Sequence, residues 1–314
     1  MFVKTYFLPI AVLLCIGIAW VSGSTVFQKK APSASPSNIT DQKTFENYWF
    51  KGKAEINTYS LQQAQYGELN PGEAVLIFVT EDFRTDTQVK LENEENRHKS
   101  TPVLKLNSIH RFVTGIYDYS IYTSVFTPID PTLFPQTLKV SSTSQDWCGH
   151  TFLQLNFQSN GYKVTGRSYF ETHATEDYTS EKALLEDELW TRLRLSPDRL
   201  PVGSIRIIPS VKAARLRHQK IAPLSAIAGM EPYKGSNFTG KSLKTYKITY
   251  TDGRMLQIVF EQTFPYRIMG WEDTYTSKGK QLTTRAIHKK TLQSAYWERN
   301  SPEDRSLRDT LHLQ

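Results

Sequence analysis

The run Ala74-Val75-Leu76-Ile77-Phe78-Val79-Thr80 decides the fold class, because it is rich in β-branched and aromatic side chains and is not broken by Gly or Pro. Asn70-Pro71-Gly72, just before it, reads as a turn signal. Further upstream, Ala54, Ile56 and Thr58 recur at period two with Glu55 and Asn57 between them, the alternation of a strand with one buried face. Similar runs, punctuated by Gly or Pro, continue from Phe45 to about Phe170, and Asn160-Gly161 marks a tight hairpin. Strands resume at Leu243, with Thr251-Asp252-Gly253-Arg254 and Ser277-Lys278-Gly279-Lys280 as further turns. The charged stretch from Thr85 to Ser100 reads as a solvated loop.

Between the strand-rich halves, Leu185, Leu189 and Leu193 recur at four-residue spacing and predict a helix over about 180–195. Glu181, Glu186, Asp187 and Glu188 in its first half and Arg192 and Arg194 near its end would complement the helix dipole, and Pro197 would stop it. The expected fold is therefore mainly β, a large curved antiparallel sheet or open barrel with one covering helix (about 180–195). The β-rich domain is placed at 45–300, with a division into two sub-sheets near 176–240 left open.

Composition narrows the class. The chain has 314 residues, 39% hydrophobic and 22% charged, which excludes global disorder and a polytopic membrane protein. Its cysteines, Cys15 and Cys148, are too few for a disulfide framework or a four-cysteine zinc site. After Lys4 no charge appears until Lys29, and Phe7 to Val21 is almost wholly apolar. Residues 1–23 thus read as an export signal cleaved after Gly23, with an uncleaved membrane anchor as the alternative. Lipidation at Cys15 fits worse, because Leu13 and Leu14 stand where small residues are needed. Residues 24–44, with Pro32 and Pro36 among small residues, form a flexible tether, and 301–314 is a polar tail expected to fray. The expected location is exported: periplasmic, envelope-associated or secreted.

The formal net charge of +7 hides an asymmetry. Residues 24–190 hold 15 basic and 21 acidic side chains, whereas 191–300 hold 20 and 7. Arg206, Lys212, Arg215, Arg217 and Lys220 are the candidate anion-binding residues, for an anionic lipid, glycan or envelope protein. Nucleic acid is not an expected partner of an exported chain. The competing reading is that this basic half neutralises the acidic half within the same molecule.

Catalytic signals are weak. Asp146, Cys148 and His150 would share one face if their segment were a strand, which is the arrangement of a thiol, an imidazole and a carboxylate. The blander expectation is that Cys148 is a buried small hydrophobe beside a hydrogen-bonded histidine. Metal binding by Cys148 and His150 would need a distant third ligand such as His173, and no metal or cofactor is expected. Carboxylates for cutting glycans would have to come from distant strands, such as Glu81 with Glu261, because the adjacent pairs Glu81-Asp82 and Glu272-Asp273 point to opposite faces. No nucleophile elbow, phosphate loop or dinucleotide fingerprint is present.

A series of short blocks carries a resemblance: Tyr48-Trp49, Gly52-Lys53-Ala54-Glu55, Gln65-Tyr66-Gly67-Glu68, Val79-Thr80-Glu81, Leu104-Lys105-Leu106-Asn107, Gln145-Asp146-Trp147-Cys148-Gly149-His150, Glu188-Leu189-Trp190 and Ile208-Pro209-Ser210. From about Phe45 to Trp297 the chain resembles an uncharacterised family of exported bacterial envelope proteins often mislabelled septum formation inhibitor Maf. The true Maf nucleotide pyrophosphatases are cytoplasmic α/β proteins with a Ser-x-x-Pro-Arg-type loop. Here Ser33-Ala34-Ser35-Pro36-Ser37 lacks the arginine and lies in the tether. The resemblance implies export and an envelope setting and supplies no catalytic residues. The leading expectation is a non-enzymatic binding or carrier protein for an amphiphile, glycan or envelope partner. An exported hydrolase or transferase acting on glycan or peptide, and a structural component of an envelope assembly, are the alternatives.

Overall fold

The computed structural model describes residues 42–313. The expected signal or anchor at 1–23, Cys15 and nearly all of the tether lie outside the described residues. A short helix, α1 (Gln42–Trp49), leads into β1 (Ala54–Gln65) and β2 (Glu68–Arg84). The meander continues through β3 (Ser100–Thr114), β4 (Tyr117–Pro128), β5 (Lys139–Asp146), β6 (Gly149–Gln158), β7 (Gly161–Ser168) and β8 (Thr175–Glu181). Then come β9 (Leu184–Leu185), α2 (Leu189–Leu195), β10 (Gly203–Ile208), α3 (Val211–Arg217) and β11 (Leu224–Pro232). The chain closes with β12 (Leu243–Tyr250), β13 (Met255–Glu261), β14 (Ile268–Ser277), β15 (Lys280–Ser294) and α4 (Ser306–Thr310).

Among the described residues all 15 strands belong to one sheet, in the order β8-β7-β6-β5-β4-β3-β2-β1-β15-β14-β13-β12-β11-β10-β9. Every neighbouring pair is antiparallel except β9 with β10. Only Lys182 and Ala183 separate the two edge strands in sequence, and two residues span less than about 10 Å. The sheet must consequently curl until its edges approach. The Tyr178 hydroxyl on one edge accepts from the Ile221 N–H and donates to its carbonyl, both at 3.1 Å, and Arg206 on β10 meets Glu181 on β8 at 3.1 Å. No ladder joins the edges, so the barrel stays open.

The register of β1 corrects the alternation read from its sequence. Asn57, Tyr59 and Leu61 stand opposite Leu76, Ala74 and Gly72, and Tyr59, Leu61, Ala74 and Leu76 belong to the main interior core. Ile56 and Val75 instead form a small outer cluster covered by Leu311, whose carbonyl accepts the Thr58 hydroxyl at 2.7 Å. The expected fraying tail thus docks on the outside of the sheet, which is why Ala74 to Thr80 is apolar on both faces. Asn70-Pro71-Gly72 also lies within β2; the turn falls at Tyr66-Gly67, both at positive φ, as in a tight hairpin.

The helix expected over about 180–195 is only Leu189–Leu195. Leu184 and Leu185 pair with Ile207 and Ile208 as an edge strand, and the backbone N–H of Leu185 donates to the Glu188 carboxylate at 3.1 Å. Leu189 and Leu193 are buried in the interior of the curved sheet together with Val211 and Ala214 of α3. The chain's own helices therefore cover much of the concave face and leave a hollow around His110, Lys212 and Trp271.

Candidate functional site

Three consecutive acids before α2 each take a different buried partner. Glu186 receives Arg254, one arm of which donates at 2.8 Å, and also the Tyr250 hydroxyl. Burial is the largest influence and would raise its carboxyl, but the Arg254 charge and the hydrogen bonds from Arg254, Tyr250 and Ser210 together outweigh it and hold the group at about 2. Asp187 accepts the Val211 N–H at 2.9 Å, and desolvation pushes its carboxyl up to about 7. Glu188 accepts the Thr137 hydroxyl and pairs with Arg192 at 3.0 Å. Arg254 is shared with Asp273 at 2.8 Å, which in turn meets Arg217 at 3.2 Å. Beside this network the Lys212 amine lies 3.4 Å from His110 Nδ1. Desolvation draws Lys212 down to about 8, and desolvation with the Lys212 charge holds His110 well below its ordinary value. A second buried pair joins Arg194 of α2 to Glu55 of β1 by bonds of 2.6 and 2.7 Å, with the guanidinium near the rings of Phe78 and Trp49. These contacts fix both interior helices to the sheet wall.

An open cleft lies between α3 and strands β5 to β8, with about 530 Å³ of space including solvent at its mouth. Its apolar wall is Phe152, Leu153 and Phe170, and its polar lining includes Arg167, Arg215, His173, His218 and Gln219. α3 starts at Ser210, whose side chain accepts the Ala213 N–H at 3.2 Å, and this cap sets the helix so that Arg215 reaches the cleft. The Arg215 guanidinium lies 4.8 Å from the Phe170 ring centroid. It bonds Thr151 at 3.2 Å and reaches Asp146 only at 3.4 Å. His173 pairs its Nδ1 with Glu176 at 3.5 Å and stacks on His218, centroids 6.1 Å apart. Ser144 Oγ and His173 Nε2 are buried beside this cleft without a protein partner.

The expected Asp146, Cys148 and His150 face does not form, because the segment is a hairpin turn and not one strand. Asp146 ends β5, Trp147-Cys148 make the turn and Gly149 opens β6. The Asp146 carboxylate caps the turn by accepting the Cys148 N–H at 2.7 Å. Cys148 is exposed, contrary to its expected burial. Desolvation, then the hydrogen bond and charge of Asp146, push its thiol up, away from the thiolate that nucleophilic chemistry needs. His150 is exposed in β6.

The five candidate cations do not converge. Arg206 faces Glu181 at the sheet edge, Lys212 lies beside His110 in the interior, and Arg217 pairs with Asp273 and covers the Tyr275 ring at 4.0 Å. Lys220 lies 4.4 Å over Tyr178, and only Arg215 lines the cleft. Glu81 and Glu261, on strands four positions apart in the sheet, pair with Lys105 at 3.1 Å and Arg267 at 3.6 Å. No motif in the sequence marks Phe170, Arg167 or His218 as site residues; Tyr169-Phe170 beside a charged, His-containing stretch is the only signal for them. Among the described residues no group of three His, Cys, Asp or Glu side chains is placed to hold a metal ion, and no helix is long and apolar enough to cross a membrane. Compared with known proteins, the chain matches no family model, no curated protein and no solved structure.

Proposed function

We propose that this is an exported envelope protein that binds, without transforming, a ligand carrying an anionic group on an apolar or sugar ring, and that the α3 cleft is its site. The observation that carries this reading is Arg215: a guanidinium resting on Phe170 in an open cleft, held by one bond to Thr151 and a loose 3.4 Å contact to Asp146. A carboxylate or phosphate can replace the loose contact with a bidentate one, while the ring packs on Phe152 and Phe170. The hollow left between the interior helices and the sheet is lined by Glu186, Arg254 and Asp273, which are already engaged in buried ion pairs and suit an acyl chain poorly, so the α3 cleft is the better place for a ligand. Export and an envelope setting rest on the apolar N-terminal segment and on the resemblance of the sequence blocks.

The test is titration calorimetry of the exported protein with glucuronate, comparing wild type with Arg215→Gln. The expected result is at least tenfold weaker binding by the variant, the loss of one charge-assisted bidentate contact. Equal affinity of the two proteins would sink the reading.

A further inference from the structure

Hairpin tips gather at one end of the curved sheet. Tyr66-Gly67, Gly115-Ile116 and Trp147-Cys148 join β1 to β2, β3 to β4 and β5 to β6, and the segment after Ser168 joins β7 to β8. Each of these neighbouring tips offers a large apolar or aromatic side chain to solvent: Tyr66 at 42%, Ile116 at 83%, Trp147 at 69% and Tyr169 at 73% exposure. Scattered exposed hydrophobics need no explanation, but a regular row of them does.

The rings are held in place. The Tyr66 hydroxyl bonds that of Tyr119 at 2.5 Å, and Tyr117 links Tyr119 to Trp147 with centroids 5.7 and 6.4 Å apart. Trp147 donates its indole N–H to Asp118 at 2.9 Å, so its polar edge is satisfied within the protein and its face remains free. Tyr169 lies over Gly149, where a Cβ would come within 2.8 Å of the ring, and contacts Phe170 at 5.6 Å. Phe170 is the ring under Arg215. An apolar track of three aromatic tips and Ile116, joined through Tyr119 and Tyr117, therefore runs from Tyr66 to the cleft.

We propose that this track binds an extended polysaccharide in which one sugar of each pair carries a carboxylate, one such sugar entering the Arg215 cleft; the proposal rests on the cleft reading above. Successive tips are two strands apart, about 9 to 10 Å. That is close to the two-sugar repeat of an extended β-linked chain, so each tip can stack on the apolar face of one sugar per repeat. Trp147 and Tyr66, whose polar edges are satisfied within the protein, suit stacking, which loses little conformational entropy on binding, and Lys278 lies 5.4 Å from the Tyr66 ring centroid. An anionic membrane fits this end less well. A membrane surface has no repeat to match the regular spacing of the tips, and the Trp147 indole N–H that would bond a headgroup is already donated to Asp118.

The test uses the full exported chain and four probes: glucuronate, a hexasaccharide alternating glucuronate with N-acetylglucosamine, the neutral N-acetylglucosamine hexamer, and vesicles of anionic phospholipid. Wild type should bind the alternating hexasaccharide at least tenfold more tightly than glucuronate, and more tightly than the neutral hexamer. Trp147→Ala and Tyr169→Ala lie on exposed tips and should fold normally. Each should weaken the hexasaccharide about tenfold and leave glucuronate unchanged. Glucuronate binding with no gain from the longer chain, or tip variants that bind the hexasaccharide as wild type does, would overturn the track and leave the cleft reading standing. No binding of either acidic probe by wild type would overturn both. Vesicle binding that is lost in Trp147→Ala, with hexasaccharide binding unchanged, would replace the glycan by a membrane.

Discussion

At the scale of single residues, the buried carboxyl of Asp187 gives a pH dependence whose sign can be worked out. In the unfolded chain this group titrates near the ordinary 3.8, whereas desolvation raises it to about 7 in the fold. Glu186 pushes in the same direction, and Lys212 and Arg254 oppose both. Between these two values the native state keeps a proton that the unfolded state has released. The stabilisation is complete below about pH 4 and is lost as pH rises through 7. Asp187→Asn keeps an oxygen for the Val211 N–H and removes the titration. The variant should therefore gain on wild type from pH 4 to 7 and then run parallel to it, the gain between pH 4 and pH 8 amounting to roughly 4 kcal/mol. Urea unfolding at pH 4, 5.5, 7 and 8 measures this, and a constant difference across the series would count against it. None of this is legible in the sequence, where Glu186, Asp187 and Glu188 pass for the acidic first half of a covering helix. Charge tells where a side chain prefers to be, and only the distant partners Arg254, Val211 and Thr137 reveal where it is. The turn at Asp146-Trp147-Cys148-Gly149 was more accessible, since Asp first and Gly fourth is a type I turn pattern.

Among the elements, the strands were legible from alternation and turn chemistry, and the boundaries failed where a tertiary neighbour supplied the deciding contact. Leu185 belongs to the helical stripe by spacing, yet it is a strand residue because Ile208 offers it an edge. By its sequence neighbours Gly72 is a turn residue, yet in the fold it is a strand residue opposite Phe112. Its small size serves a close approach: a Cβ there would stand 2.1 Å from the Arg111 carbonyl oxygen and 2.7 Å from the Phe112 Cβ. Backbone cannot yield as a side-chain tip can, so Gly72→Ala should force β2 and β3 apart. A loss of about 1–3 kcal/mol, the usual range for overpacking, is expected in thermal or urea unfolding. A substitution without effect would mean that the two strands do not meet in this register. The cleft was only partly legible for a similar reason. Arg215 stood out as one of a cluster of cations, but which of the cluster faces a ligand depends on the helical phase of α3 and on the strands beside it.

For the whole molecule, the consequence of the topology is that, among the described residues, the two halves β1–β8 and β9–β15 are joined covalently through Lys182 and Ala183, by one ladder between β1 and β15, and at the edges by the Tyr178–Ile221 and Arg206–Glu181 contacts. The second half fills the first: α2 places Arg194 on Glu55 at 2.6 Å, Glu188 on Thr137 and Thr191 on Thr127 at 2.6 Å. A chain cut between Lys182 and Ala183 thus keeps its ladder and its interior contacts. The covalent link contributes mainly effective concentration, which the β1 and β15 pairing and the buried core should replace at micromolar levels. Co-expressed fragments are accordingly expected to co-purify in equal amounts with the far-ultraviolet signature of the intact sheet. Expressed alone, the first fragment would expose the apolar wall around Leu76, Leu104 and Leu106 and should aggregate. Arg194→Met in the second fragment leaves Glu55 buried without its cation and should weaken association about a hundredfold or more, since breaking one partner of a buried pair costs about 3–5 kcal/mol. Glu55→Gln in the first fragment, combined with Arg194→Met, should restore part of that loss. Independent folding of both fragments without association would show that α2 does not hold the two halves together, and the sheet would then have to be two domains after all.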